Sequence, residues 1–213
     1  MLSTVVSAGK QVVESVLSIV GIRVGTEEPE HTSTPLTDRV EIRTYGPRIA
    51  AETTVAADED AARNEGFRRL AGYIFGKNAG DDKIAMTAPV AQASASGTRI
   101  AMTAPVAQSA EPTDVGEGWT IRFFMPSKCT MATLPTPTDD RVRLTEVPGE
   151  TVAVLTFSGD RSPEAIANYS SRLLDTLRDK NIEVRGDVAA WFYDPPWTLP
   201  FRRRNEVVVP VNA

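Results

Sequence analysis

The sequence predicts an α+β fold made by duplication, with two strand-strand-helix-strand units in one chain. Three observations point there. Apolar residues alternate with period two over 40–45, and the same alternation returns about a hundred residues later. In each place a turn, a return strand and an amphipathic helix follow. Each unit then closes on a strand that runs into a proline, Pro126 in the first and Pro210 in the second. Joined edge to edge, two such units give a curved sheet or barrel with both helices packed outside, which also protects strand edges from pairing with other chains.

The first 25 residues carry Leu2, Val5, Val6, Val12, Val13, Val16, Leu17 and Val20 at helical spacing, with Lys10, Gln11 and Glu14 on other faces. Residues 1–25 therefore read as an amphipathic helix. Its charges break any bilayer-length apolar run, and no basic leader or cleavage site marks a signal peptide. Packing on the domain or a partner and contact with a membrane surface both stay open. Residues 26–37 are polar and turn-rich and read as a linker; 38–213 read as the globular domain.

In the first unit Val40, Ile42 and Thr44 face one way and Glu41, Arg43 and Tyr45 the other, and Gly46-Pro47 supplies the turn. A strand over 49–55 follows. Asp58 or Asp60 caps a helix whose apolar face is Phe67, Leu70, Ala71 and Ile74, with Gly76 and Asn78 as stop signals. In the second unit Val142, Leu144 and Val147 match Val40, Ile42 and Tyr45 at a shift of 102. Pro148-Gly149 makes the turn and 151–157 the return strand. Ser162 is a good N-cap, Pro163 suits the first helical position, and Ile166, Tyr169, Leu173 and Leu177 form the stripe.

The closing strands, 123–126 and 207–210, are offset by only 84. A tandem repeat in the first unit explains nearly all of the difference: KIAMTAPVAQ at 83–92 returns as RIAMTAPVAQ at 99–108. The pair makes either a long hairpin or one strand with a looped-out copy.

Composition narrows the chemistry. A formal charge of −5 has the wrong sign for a phosphate-rich partner, so no nucleic acid is expected. One cysteine, Cys129, and one histidine, His31, leave no disulfide, no two-histidine metal site and no HExxH or CxxC spacing. No GxSxG elbow accompanies His31. A binding role without turnover is expected, so the chain does not read as an enzyme, and the cleft between the units is the default ligand site.

Several stretches carry a resemblance: VEIRTYGPRIAAET at 40–53, GFRRLAGYIFGKN at 66–78, KIAMTAPV at 83–90, FFMPS at 123–127, LPTP at 134–137 and YDPPWTLPFRRRNEVVV at 193–209. On these the chain resembles the SOUL haem-binding protein family over about 170 residues. The resemblance implies a distorted β-barrel flanked by two long helices and reversible binding of haem or free porphyrin, as a carrier, buffer or sensor. It also implies that Phe67, Ala71, Trp197 and Leu199 are hydrophobic contacts. A porphyrin is a flat apolar disc with two propionates, and Arg68 and Arg202 are candidate cationic partners. His31 is the one imidazole available to iron and the candidate metal ligand, although a histidine in a polar loop more often faces solvent. A cytoplasmic location is the first expectation, and peripheral membrane association through the N-terminal helix the second. The competing expectation is an effector-binding or interaction protein for another amphipathic ligand or a membrane-associated partner.

Overall fold

In the computed structural model, which describes residues 27–80, 83–94, 118–194 and 197–212, the two units exchange their first strands. In chain order the elements are β1 (His31–Pro35), β2 (Val40–Tyr45), β3 (Arg48–Val55), α1 (Glu59–Ile74), β4 (Val90–Ser94) and β5 (Trp119–Phe124), followed by β6 (Arg143–Val147), β7 (Glu150–Phe157), α2 (Pro163–Asp179), β8 (Glu183–Val184), β9 (Ala189–Phe192) and β10 (Asn205–Asn212). β2 pairs with β7 and β6 pairs with β3, all antiparallel. The sheet order is β1-β2-β7-β10-β9-β4-β5-β3-β6, with β8 pairing β10. The pseudo-twofold axis passes between β9 and β4, where the two units meet edge to edge. The described residues form a curled antiparallel half-barrel with two helices, the duplicated α+β architecture expected.

The exchange forces the two turns to cross. A Cβ on Gly149 would stand 3.1 Å from the Tyr45 carbonyl oxygen and 3.7 Å from Pro47 Cδ, so the tight crossing favours glycine there.

Strand alternation sends side chains to two faces. On the outer face α1 covers Ala51, Val55, Ile121 and Phe123, and α2 covers Leu155, Phe157, Val207 and Val209. On the concave face Tyr45, Phe124, Val152, Trp191, Tyr193 and Val208 form a third cluster. The stripe of α2 falls as expected: Leu173 and Leu177 are fully buried, with Ile166 and Tyr169 packed beside them. In α1 the buried side is Ala62, Gly66, Leu70, Tyr73 and Ile74, whereas Phe67 is half-exposed.

Both helix starts are fixed by side chains. Asp58 accepts from the Ala61 amide at 2.9 Å, and Ser162 Oγ accepts from the Ala165 amide at 3.3 Å with Pro163 following. Ser162→Ala should therefore destabilise the protein by about 1 kcal/mol in urea unfolding. A change below about 0.3 kcal/mol would show that the cap contributes nothing.

The stretch read as a linker contains structure. β1 pairs with β2 from His31↔Tyr45 to Pro35↔Glu41, although all five of its residues are exposed. An edge strand with both sides in water needs no apolar alternation, so composition marks its exposure and hides its pairing. Before it, Glu27 bridges to Thr87. The first copy of the tandem repeat supplies β4; the second copy at 99–108 and the N-terminal helix at 1–25 lie outside the described residues. Among the described residues no helix is long and apolar enough to cross a membrane.

Candidate functional site

On the helix-bearing side, the loop after β9 is held at several points. Asp194 Oδ2 accepts from the Arg204 amide at 2.7 Å, Arg203 Nε donates to the Thr198 carbonyl at 2.8 Å, and the Gly159 amide donates to the Pro200 carbonyl at 2.9 Å. A short 3-10 turn, Pro200–Arg202, sits between these anchors. The backbone is thus secured while its large side chains are not covered: Trp197 is 61% exposed, Phe201 69% and Leu199 39%. Exposed large apolar groups gathered on one anchored loop are the mark of a binding surface.

Two arginines stand next to this loop. Arg161 lies 5.8 Å and Arg63 4.9 Å from the Phe192 ring centroid. Arg63 Nη1 donates to the Arg161 carbonyl and to Gln92 Oε1, each at 3.5 Å, and its Nη2 pairs with Asp60. Arg161 Nη1 donates to the Asp194 backbone carbonyl at 3.4 Å, and among the described residues no carboxylate forms an ion pair with it. Burial, with Arg203 and Arg63 nearby, lowers the Arg161 pKa to about 10. An arginine this poorly compensated is a ready receiver for an anion.

Hydrogen bonds from Arg63 to Arg161 to Asp194 tie α1 to the loop. Phe67 follows Arg63 by one helical turn, is 37% exposed, and meets Phe123 edge-on at 5.3 Å. Ala71 is half-buried against the α1 core. Arg202 is exposed, with its guanidinium 5.9 Å from the Phe201 ring. Arg68 points away from the loop set: it pairs with Glu65 at 2.5 Å and lines a separate polar pocket of about 500 Å³ with Arg69, Lys77, Asp139 and Arg141.

His31 is elsewhere. Its ring lies 4.9 Å from that of Tyr45, in the concave cluster, whereas Phe67 packs on Phe123 in the α1 cluster. Phe123 and Phe124 are consecutive on β5 and face opposite sides, so the ring contacts of His31 and Phe67 lie on opposite faces of the sheet. His31 lines a pocket of about 950 Å³ at the crossed-turn end, together with Arg48, Ile49, Met125, Met131 and Val147.

Below that pocket the concave face carries buried charge. Glu206 is fully buried and receives a bidentate pair of bonds from Arg43, both 2.9 Å, with further bonds from Arg204 Nε at 2.9 Å and the Tyr193 hydroxyl at 2.7 Å. Burial alone would raise its pKa, but Arg43 and Arg204 outweigh that and hold it below the ordinary value. Burial raises the Tyr193 hydroxyl well above its usual range, with Glu206 adding to it.

Sequence reasoning missed Arg63 and Arg161. Arg63 had a signal, being one turn before Phe67 on the same helix. Arg161 had none, because only the return of the chain at Asp194 brings it to the loop.

A family model described as SOUL heme-binding protein matches residues 26–97 and 91–210. The chain belongs to the SOUL family. Heme-binding protein 2 of Mus musculus is 32% identical over 171 residues, covering 78% of this chain and 75% of that protein. Heme-binding protein 2 of Homo sapiens is 31% identical over 186 residues, covering 86% and 82%. Among solved structures, the C-terminal domain of EcmrR aligns with a TM-score of 0.56 at 9% identity, covering 85% of this SOUL chain and 98% of that domain. A conserved protein from Listeria innocua aligns with a TM-score of 0.55 at 12% identity, over 89% and 94%. At such low identity these two show the fold alone.

Proposed function

We propose that this SOUL protein binds haem or free porphyrin reversibly, without turnover, on the surface formed by the Trp197–Arg202 loop and the exposed side of α1. The observation that carries the reading is the pairing of an anchored, exposed apolar loop with Arg161, a part-buried cation that forms no ion pair with a carboxylate among the described residues. A flat apolar disc bearing propionates meets both requirements, because the ring covers Trp197, Leu199 and Phe67 while a propionate accepts from a guanidinium. Arg202 is a second cation at the loop, Ala71 continues the α1 side, and Arg68 is held by Glu65 and contributes least. The two Heme-binding protein 2 relatives support the choice of ligand. Carriage, buffering or sensing in the cytoplasm is the role such reversible binding suits.

This surface contains no histidine, since His31 lies across the sheet. Iron is then not the main source of affinity, and hemin and protoporphyrin should bind within about threefold of each other, a gap of well under 1 kcal/mol. Trp197→Ala should weaken both by about tenfold, matching the loss of one aromatic contact of about 1–2 kcal/mol. His31→Ala should change neither. Absorbance and tryptophan fluorescence titrations of purified protein measure all three.

A second reading is favoured by one observation, the imidazole at the rim of the 950 Å³ pocket. There His31 would ligate iron, as haem proteins commonly use histidine. Loss of hemin binding, but not protoporphyrin binding, in His31→Ala would choose this reading over the first.

A further inference from the structure

The larger pocket holds an arginine whose needs are half met. The Arg48 side chain is 8% exposed, and its Nη2 pairs with Glu150. Its Nε and Nη1 are buried and have no hydrogen-bond acceptor among the described residues. The guanidinium lies 4.3 Å from the Tyr45 ring centroid and 4.5 Å from that of Phe124, with Trp191 at 6.0 Å. Ring faces attract its positive charge, yet they are weak substitutes for an oxygen lone pair. Buried donors left without acceptors are rare in folded proteins, and one that lines a cavity marks where a ligand's acceptor belongs.

The charge around the pocket says what kind of acceptor. Glu150 already compensates the Arg48 cation, and Glu27, Glu30 and Glu146 also line the cavity. With His31 as the one other basic group among the lining residues, an incoming anion meets surroundings that are negative on balance. A neutral carbonyl oxygen supplies lone pairs without that repulsion. The remaining walls include Ile49, Met125, Met131 and Val147, which suit an apolar body. Thioethers such as Met125 and Met131 also accommodate aromatic rings of varied outline.

We propose that this pocket is a second ligand site, separate from the tetrapyrrole surface, that takes a neutral aromatic carbonyl compound with its oxygen toward Arg48. The assignment does not depend on tetrapyrrole binding at the Trp197–Arg202 loop, and a failed hemin titration leaves it standing, whereas hemin binding that is lost in His31→Ala would give this pocket to haem and overturn it.

Three probes that share a naphthalene body test it: 2-acetonaphthone, which has a neutral carbonyl, 2-naphthoate, which is an anion, and 2-ethylnaphthalene, which has no acceptor. Titrations of the 213-residue chain, followed by NMR chemical-shift changes, should show the ketone binding saturably and about tenfold tighter than either of the others. Arg48→Met should bring the ketone down to the level of the hydrocarbon. Glu150→Gln keeps Arg48 and removes its countercharge, so it should move the preference toward 2-naphthoate, which a purely structural Arg48 would not do. Should Arg48→Met fail to fold, the wild-type order and the Glu150→Gln shift decide. Absence of saturable ketone binding, equal affinity for ketone and hydrocarbon, or tightest binding of 2-naphthoate to the wild type would each overturn the proposal.

Discussion

Replacing Glu206 by alanine should lower the unfolding free energy by about 3–5 kcal/mol, because it strands the buried Arg43 guanidinium, and takes a partner from the part-buried Arg204, rather than simply deleting a contact. Arg43 has a side chain only 3% exposed and gives Glu206 both of its terminal nitrogens; Arg204 is bound to the same carboxylate. Glu41 remains to Arg43 and Glu28 to Arg204, at the edges of the network, so the loss falls mainly on the centre. Urea unfolding at neutral pH measures the effect, and a drop of under 1 kcal/mol would show that solvent or neighbours replace the carboxylate. The pH dependence has a definite sign. A carboxyl whose folded pKa lies below its unfolded value near 4.5 stabilises the fold above that value, and the contribution disappears as pH falls through the depressed folded pKa. Wild-type stability should therefore fall more steeply with acidification below 4.5 than that of Glu206→Ala.

Gly66→Val should destabilise by about 3 kcal/mol, at the upper end for overpacking. Gly66 is where α1 comes nearest the sheet: an added Cβ would stand 2.7 Å from Ile121 Cγ1 and 2.8 Å from Ile121 Cβ. Cγ1 can swing away by rotation about χ1, but Ile121 Cβ is fixed by the backbone, so no rotamer change relieves the 2.8 Å contact and the helix itself must lift. Leu70 and Tyr73, packed in the same cluster, would lift with it. The Tyr73 hydroxyl would then lose its 2.8 Å bond to the Pro135 carbonyl. Combining Gly66→Val with Ile121→Ala should recover part of the loss, since two groups competing for one space are not additive. Gly66→Ala is the sharper check, because alanine gains about 1 kcal/mol in helix propensity and net stabilisation would refute the close approach.

What the sequence revealed and what it hid follow from the range of the interactions. The two helices and their caps, Ser162 for the second and Asp58 or Asp60 for the first, are local patterns written within one or two turns of chain, and the duplication is legible because those local patterns recur about a hundred residues on. The strand exchange is not local: Val40 and Leu155 are register partners, and no residue between 40 and 55 indicates that β2 will avoid β3. β1 escaped notice because a solvated edge strand has no apolar period. At the site, Trp197 and Leu199 stood out as apolar residues in a proline-rich loop, and the structure leaves both exposed. Arg161 escaped because its partner surface is formed by residues 33 positions later. His31 and Phe67 were grouped for one ligand because sequence distance says nothing about which face of a sheet a residue reaches.

The crossed turns bear on how the molecule comes to exist at all. Because β2 finds its partner in β7 and β6 finds its partner in β3, neither repeat encloses its own first strand. A lone copy would have to borrow that strand from a twin, so the single chain corresponds to a domain-swapped homodimer whose subunits have been fused. Such a fusion replaces a concentration-dependent association with an intramolecular one, and it ties both helices and both faces of the sheet into one cooperative folding event.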